Sequence, residues 1–338
     1  MKSAQQRVSG WLLLLGLALL AAIVLRLDVR EIVSLVVRAG PWLLLAILVR
    51  AVRLLCGSLG WRALIAEAAD PPSRTKCFSM YWVGHALSAV TPGDALGEVG
   101  KGALASRSID GAVVTASLVT HRILLAASGV LAGIMGSVLC LPRPEIPRAP
   151  VFALLVGNVV VGLGLIVIWR AIKRGATPRI ARLFSRIPLL SKGLREGLVS
   201  GRHRVDRELA ARGAGRISSE LKAFSWLSAM RLLQAIELVV LLVPLLPALE
   251  SWNLILLAFL SMSAGQLASF VGSWIPAKLG VLEVTQAALF ASLGLDPATG
   301  VALQLLLRAR TLFFVAIGLA IGWRESRDSE VTAKEASW

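Results

Sequence analysis

The chain has 338 residues, 56% of them hydrophobic, and a mean hydropathy of +0.75; together these exclude a soluble globular domain. A formal net charge of +16 would suggest nucleic acid as partner for a soluble protein, but here the basic residues lie between apolar stretches, which excludes that partner and points to a membrane surface. Three cysteines, Cys56, Cys77 and Cys140, have neither CxxC nor metal-type spacing and are assigned no chemistry.

A hydrocarbon layer of about 30 Å needs roughly 20 helical residues to cross it. Stretches of that kind run from Trp11 to Leu25, Pro41 to Ile65, Gly111 to Cys140, Val151 to Trp169, Phe224 to Leu249, Trp252 to Val271 and Ala298 to Trp323. None shows the alternating polarity of a barrel strand, so the predicted fold class is an all-α integral membrane protein, a polytopic helical bundle. Lys2 and Arg7 ahead of the first stretch set the N-terminus on the cytoplasmic side, and no small-residue cleavage site follows, so the stretch reads as a retained first span. Asp28 and Glu31 form a capping box, with Ile32, Leu35 and Val36 on one face. This predicts a short interfacial helix on the outer side, ending at Gly40-Pro41.

The second span returns inward to Arg62, Arg74 and Lys76. Lys101 and Arg107 follow, also basic, so both ends of residues 78–105 lie inside and that segment is predicted to be re-entrant. Its middle, Thr91-Pro92-Gly93-Asp94, supplies the turn: Thr91 as N-cap, Pro92 as first helical residue and Asp94 closing the cap, so that a half-helix starts within the membrane. Two further spans bring the chain back to the cytoplasm at Trp169.

From Arg170 to Lys222 there are 14 Lys and Arg against 4 Asp and Glu, the mark of a cytoplasmic connector in contact with anionic lipid. Within it Ile180, Leu183, Phe184 and Ile187 predict a surface-lying amphipathic helix. The organisation is thus a first membrane half (1–169), a basic connector (170–222), a second half (223–323) and a cytoplasmic tail (324–338). Residues 252–294 of the second half are broken at Ser273-Trp274-Ile275-Pro276 and Gly280, either as a re-entrant pair or as two spans.

The two interrupted segments resemble each other. Pro92, Glu98, Val99, Ala103 and Leu104 are matched by Pro276, Glu283, Val284, Ala288 and Leu289. Downstream, Ile109-Asp110-Gly111-Ala112 is matched by Leu295-Asp296-Pro297-Ala298, and Arg122 by Arg308. The first unit enters from inside and the second from outside, which predicts an inverted-topology repeat around a midplane site.

The turn Thr91 to Glu98 and the later turn Pro276 to Glu283 resemble those of the flippase-like membrane region of the lysylphosphatidylglycerol synthase family, and the resemblance covers nearly the whole chain. It departs at His121-Arg122, where the family pattern leads one to expect an acidic residue before the arginine. The resemblance implies lipid handling without the aminoacyltransferase domain of the best-known members, since about fifteen residues follow Trp323.

An ionisable group within a span is a functional hypothesis by default, because leaving it unpaired in lipid costs several kcal/mol. Arg122, Arg308 and Arg310 suit a phosphate headgroup, for a guanidinium donates bidentate bonds and stays charged. Thr91, Pro92, Gly93, Asp94, Glu98, Lys101, Pro276, Lys278 and Glu283 complete the candidate substrate site. The structural alternative is that each arginine neutralises Glu98 or Glu283, and Lys101 one turn beyond Glu98 has the same option. Arg231 is expected to snorkel to the cytoplasmic interface, and Arg50 and Arg53 to line the cavity or do likewise. His85 and His121, with Asp94, form a candidate proton relay.

The expected function is translocation of a lipid with a polar, phosphate-bearing headgroup, anionic or polyprenyl-phosphate in type, across a bacterial inner membrane, with both termini cytoplasmic and no cofactor or metal. The rivals are an intramembrane lipid-modifying enzyme using His85, Asp94, Glu98 and His121, and a non-transporting partner of a lipid-synthesis enzyme complex.

Overall fold

The computed structural model describes residues 29–66, 71–90, 95–173 and 217–335. The predicted span Trp11 to Leu25, the turn Thr91 to Asp94 and most of the basic connector, with its amphipathic helix, lie outside the described residues. All regular secondary structure among those residues is helical, as lipid requires: no water is present to satisfy backbone groups left unpaired.

The elements are α1 (Val29–Ile65), α2 (Arg74–Val90), α3 (Ala95–Ala105), α4 (Gly111–Cys140), α5 (Arg148–Lys173), α6 (Ile217–Leu245), α7 (Ser251–Val271), α8 (Val281–Ser292) and α9 (Pro297–Glu335). Among the described residues six helices, α1, α4, α5, α6, α7 and α9, are long and apolar enough to cross a membrane. The chain is a multi-pass membrane protein. Of these, α7 is the most enclosed by protein and α5 the least; α5 turns Val156, Val160, Leu163 and Val167 outward, the face such a helix offers to lipid.

One expectation is overturned at the start. The predicted interfacial helix ending at Gly40-Pro41 does not exist as a separate element, because α1 runs unbroken through Pro41. Proline removes one backbone donor and crowds the residue before it, and Gly40, without a Cβ, relieves that crowding. Ile32 and Leu35, read as an interfacial face, are buried in the main core with residues of α6, α7, α8 and α9.

Short helices pair in both halves. Gly84 on α2 lies against Gly97 and Lys101 on α3, and Ser88 against Gly97, an order that makes α2 and α3 an antiparallel hairpin with touching backbones. A side chain at Gly97 has no room beside Gly84 O and Ser88, so Gly97→Val is expected to open the hairpin and lower the thermal unfolding temperature markedly, whereas Gly164→Ala, in open space on α5, is expected to be silent. In the second half α7 and α8 pair likewise: Gly272 meets Val281, and Gln286 Nε2 donates to Ser261 O at 2.8 Å.

Each hairpin leads into a long helix capped by an aspartate. Asp110 accepts from Ala112 N at 2.7 Å at the start of α4, and Asp296 from Ala298 N at 3.0 Å at the start of α9. These are the aspartates matched in the sequence, and each satisfies a helix N–H that has no backbone partner.

Small residues and buried hydrogen bonds fasten the bundle, as expected where lipid supplies no hydrophobic drive between helices. Gly318 of α9 seats against Ala86 and Trp82 of α2, and Trp82 Nε1 donates to Phe314 O at 2.9 Å. Asn158 on α5 donates to Ser263 Oγ on α7 at 2.7 Å, and Trp61 on α1 to Ser117 Oγ on α4 at 3.1 Å.

Candidate functional site

In the first half, the start of α3 carries Glu98 in its first turn. Lys101, one turn on, reaches it with Nζ at 2.8 Å from Oε2, so the predicted pairing of these two residues is present. Arg122 on α4 approaches the other oxygen at 3.9 Å, with 45% of its side chain exposed. Lys101 is buried and its ammonium also lies over the Tyr81 ring, 5.1 Å from the centroid. Tyr81 meets His121 edge-on at 5.7 Å. His121 and His85 take different partners, since His85 bonds Arg50 on α1.

The second half repeats the scheme more tightly. Glu283, in the first turn of α8, is fully buried, and both its oxygens take hydrogen bonds from the Arg308 guanidinium of α9. Arg308 also donates to Ala277 O and Lys278 O, each at 3.2 Å. One arginine thereby ties α9 to α8 and to the link before it.

That link corrects the reading of Pro276 as a helix start. Pro276–Lys278 form a 3-10 turn, and α8 begins only at Val281, after Gly280 at φ 75°. Ile275 has no side-chain acceptor to cap a helix there. Ala277 and Lys278 adopt φ 54° and 53°, a left-handed conformation that non-glycine residues seldom take and that breaks the helix. Their two carbonyls are the ones that Arg308 holds.

A third constellation joins helices far apart in sequence. Glu237 on α6 is fully buried and pairs with Arg53 of α1 and Arg310 of α9, one at each carboxylate oxygen. Arg310, expected at the substrate site beside Arg308, thus faces a different carboxylate. Arg231 does not snorkel to an interface: it donates to Leu125 O on α4 and to Gln234, both at 2.9 Å. The expected orientation fails because a bare carbonyl on α4 is nearer than water. Sequence reasoning weighed Glu237 only against Arg231, six residues away on one helix, and so missed its partners. The available signal was that Glu237 is the single carboxylate between Phe224 and Leu249, and a lone acid in a span needs a cation from another helix.

Of the other predicted residues, Thr91, Pro92, Gly93 and Asp94 lie outside the described residues.

A family model, described as lysylphosphatidylglycerol synthase TM region, matches residues 12–318. No match is found among curated proteins or among solved structures.

Proposed function

The chain belongs to the lysylphosphatidylglycerol synthase TM-region family, and from that premise we propose that it translocates a lipid with a phosphate-bearing headgroup between the leaflets of the membrane. Family membership ties the chain to membrane lipids, and its six apolar helices put it in contact with the bilayer. The observation that carries the finer reading is the pair of matched ion pairs, Glu98 with Arg122 and Glu283 with Arg308, each set where the second arm of a hairpin meets the next long helix.

In this reading α2–α3 and α7–α8 are re-entrant hairpins of two inverted halves, entering from the cytoplasmic and outer faces of a bacterial inner membrane. The short second arms support it: α3 has 11 residues and α8 has 12, too few to cross alone. The aspartate caps and the glutamate–arginine order support the kinship of the halves.

Glu98 keeps Lys101 at 2.8 Å when Arg122 leaves. Arg122 therefore exchanges a loose contact for a phosphate without stranding a carboxylate, and its fork suits two phosphate oxygens. The backbone N–H groups at the start of α3 add positive potential on the same side.

The test is translocation of fluorescent phosphatidylglycerol in reconstituted vesicles. Wild type is expected to move it and Arg122→Gln to slow it at least about tenfold, with Arg122→Lys in between, since an ammonium keeps charge and loses the fork. Wild-type vesicles no faster than empty ones would overturn the function; Arg122→Gln at the wild-type rate would remove Arg122 from it.

A further inference from the structure

Positive charge inside the bundle exceeds what the protein itself neutralises. Arg50 and Arg53 on α1, Arg231 on α6 and Arg310 on α9 are set around one carboxylate, Glu237, a surplus of three charges. They form one electrostatic neighbourhood: Arg50 and Arg53 act on each other, on Arg231 and on Arg310. The groups facing them add no further anion. His85 of α2 bonds Arg50, and beyond Tyr81 lie Glu98 and Arg122, where Lys101 and Arg122 already outnumber Glu98.

Such a surplus is costly in a protein surrounded by lipid, and natural intramembrane charges are paired or reach a water-filled cavity. Two observations point to a cavity with a counter-anion. The Nε atoms of Arg50, Arg53, Arg231 and Arg310 are all buried without a hydrogen-bond partner, although Arg53 and Arg310 are more than nine-tenths buried. Arg50, His85 and Arg231 sit deep among protein atoms, yet each keeps part of its surface accessible. Groups that are deep and accessible at once line an internal recess.

We propose that Arg50, Arg53, Arg231 and Arg310 form a binding site for a phosphate group, carried on a lipid headgroup, within the recess between α1, α6 and α9. A phosphate diester brings one negative charge and acceptor oxygens enough for several forks, which matches unused donors on four guanidiniums. Glu237 orients Arg53 and Arg310 and keeps them apart in the empty state. The site uses residues other than the matched glutamate–arginine pairs. It rests on the translocator reading in taking a lipid as the phosphate's carrier.

The experiment is native mass spectrometry of the full chain in detergent with three probes: phosphatidylglycerol, a diacylglycerol with the same acyl chains, and inorganic phosphate. Wild type is expected to retain one phosphatidylglycerol with half-saturation about tenfold lower than for diacylglycerol, the order of effect of one charged hydrogen bond. Arg50→Gln and Arg231→Gln, both partly accessible and outside the Glu237 pairs, are each expected to weaken retention of phosphatidylglycerol about tenfold at unchanged unfolding temperature, and that of diacylglycerol not at all. Displacement of the lipid by millimolar phosphate would show that the phosphate alone is recognised; retention in its presence would assign the site to the lipid form. Equal retention of phosphatidylglycerol and diacylglycerol by wild type, or wild-type retention by both variants, would overturn the site. Neither result bears on translocation, which the vesicle assay reads separately: wild-type protein that retains phosphatidylglycerol but does not move it upholds the site and overturns the translocator.

Discussion

Replacing Arg308 by glutamine is expected to stop lipid translocation and to destabilise the protein by about 3–5 kcal/mol, the usual penalty for stranding a buried charge. Glu283 is fully buried and Arg308 is the cation on it. The same guanidinium holds the carbonyls of Ala277 and Lys278, so its loss also frees a link whose left-handed residues need outside support. Because one substitution breaks both, lost activity alone would not separate a transport role from a structural one.

The double variant Arg308→Gln with Glu283→Gln separates them. Two neutral amides can hydrogen-bond where the ions did, so most of the lost stability is expected to return, measured by thermal unfolding in nanodiscs, while translocation stays absent. Arg308→Lys is expected to fall between, since an ammonium neutralises Glu283 but does not reach two carbonyls and a carboxylate with one planar fork. A double variant that moves lipid at the wild-type rate would reduce the pair to a staple for the 277–280 link.

The spans were legible because lipid imposes a length and a composition, and both are written along the chain. The six helices fall where the apolar stretches lie. The glutamate–arginine pairs were legible for a different reason: each joins a short helix to the long helix next in sequence, so spacing from a shared proline and aspartate carries the register. Pro41 misled because a proline reads as a break in water, whereas in a bundle its neighbours keep the helix intact. Pro276 misled in the opposite sense, since φ values at Ala277 and Lys278 depend on what Arg308 grips and not on their own side chains. The Glu237 cluster was out of reach because it is assembled from α1, α6 and α9, and no periodicity within one helix reports which of its faces meets two others.

That cluster yields the other large effect expected. Glu237→Leu removes the carboxylate from between Arg53 and Arg310 and leaves two buried guanidiniums side by side, raising the local surplus from three charges to four. Like charges at that range repel more strongly in a low dielectric than in water, and neither arginine can shed its proton. Destabilisation of about 3–5 kcal/mol is expected in a lipid-free detergent, read as a fall in unfolding temperature. Glu237→Gln is expected to fall less, because its amide oxygen still accepts from one arginine. If the recess holds phosphate, the deficit is conditional. An anion that binds the folded state stabilises it by mass action, and one that meets four uncompensated arginines binds more tightly than one that shares them with Glu237. Titrating phosphatidylglycerol is therefore expected to raise the unfolding temperature of Glu237→Gln more steeply than that of wild type, while diacylglycerol leaves the gap between them unchanged. A gap that stays constant in phosphatidylglycerol would mean that the arginines answer only to Glu237, and that their surplus charge is met by something other than a lipid phosphate.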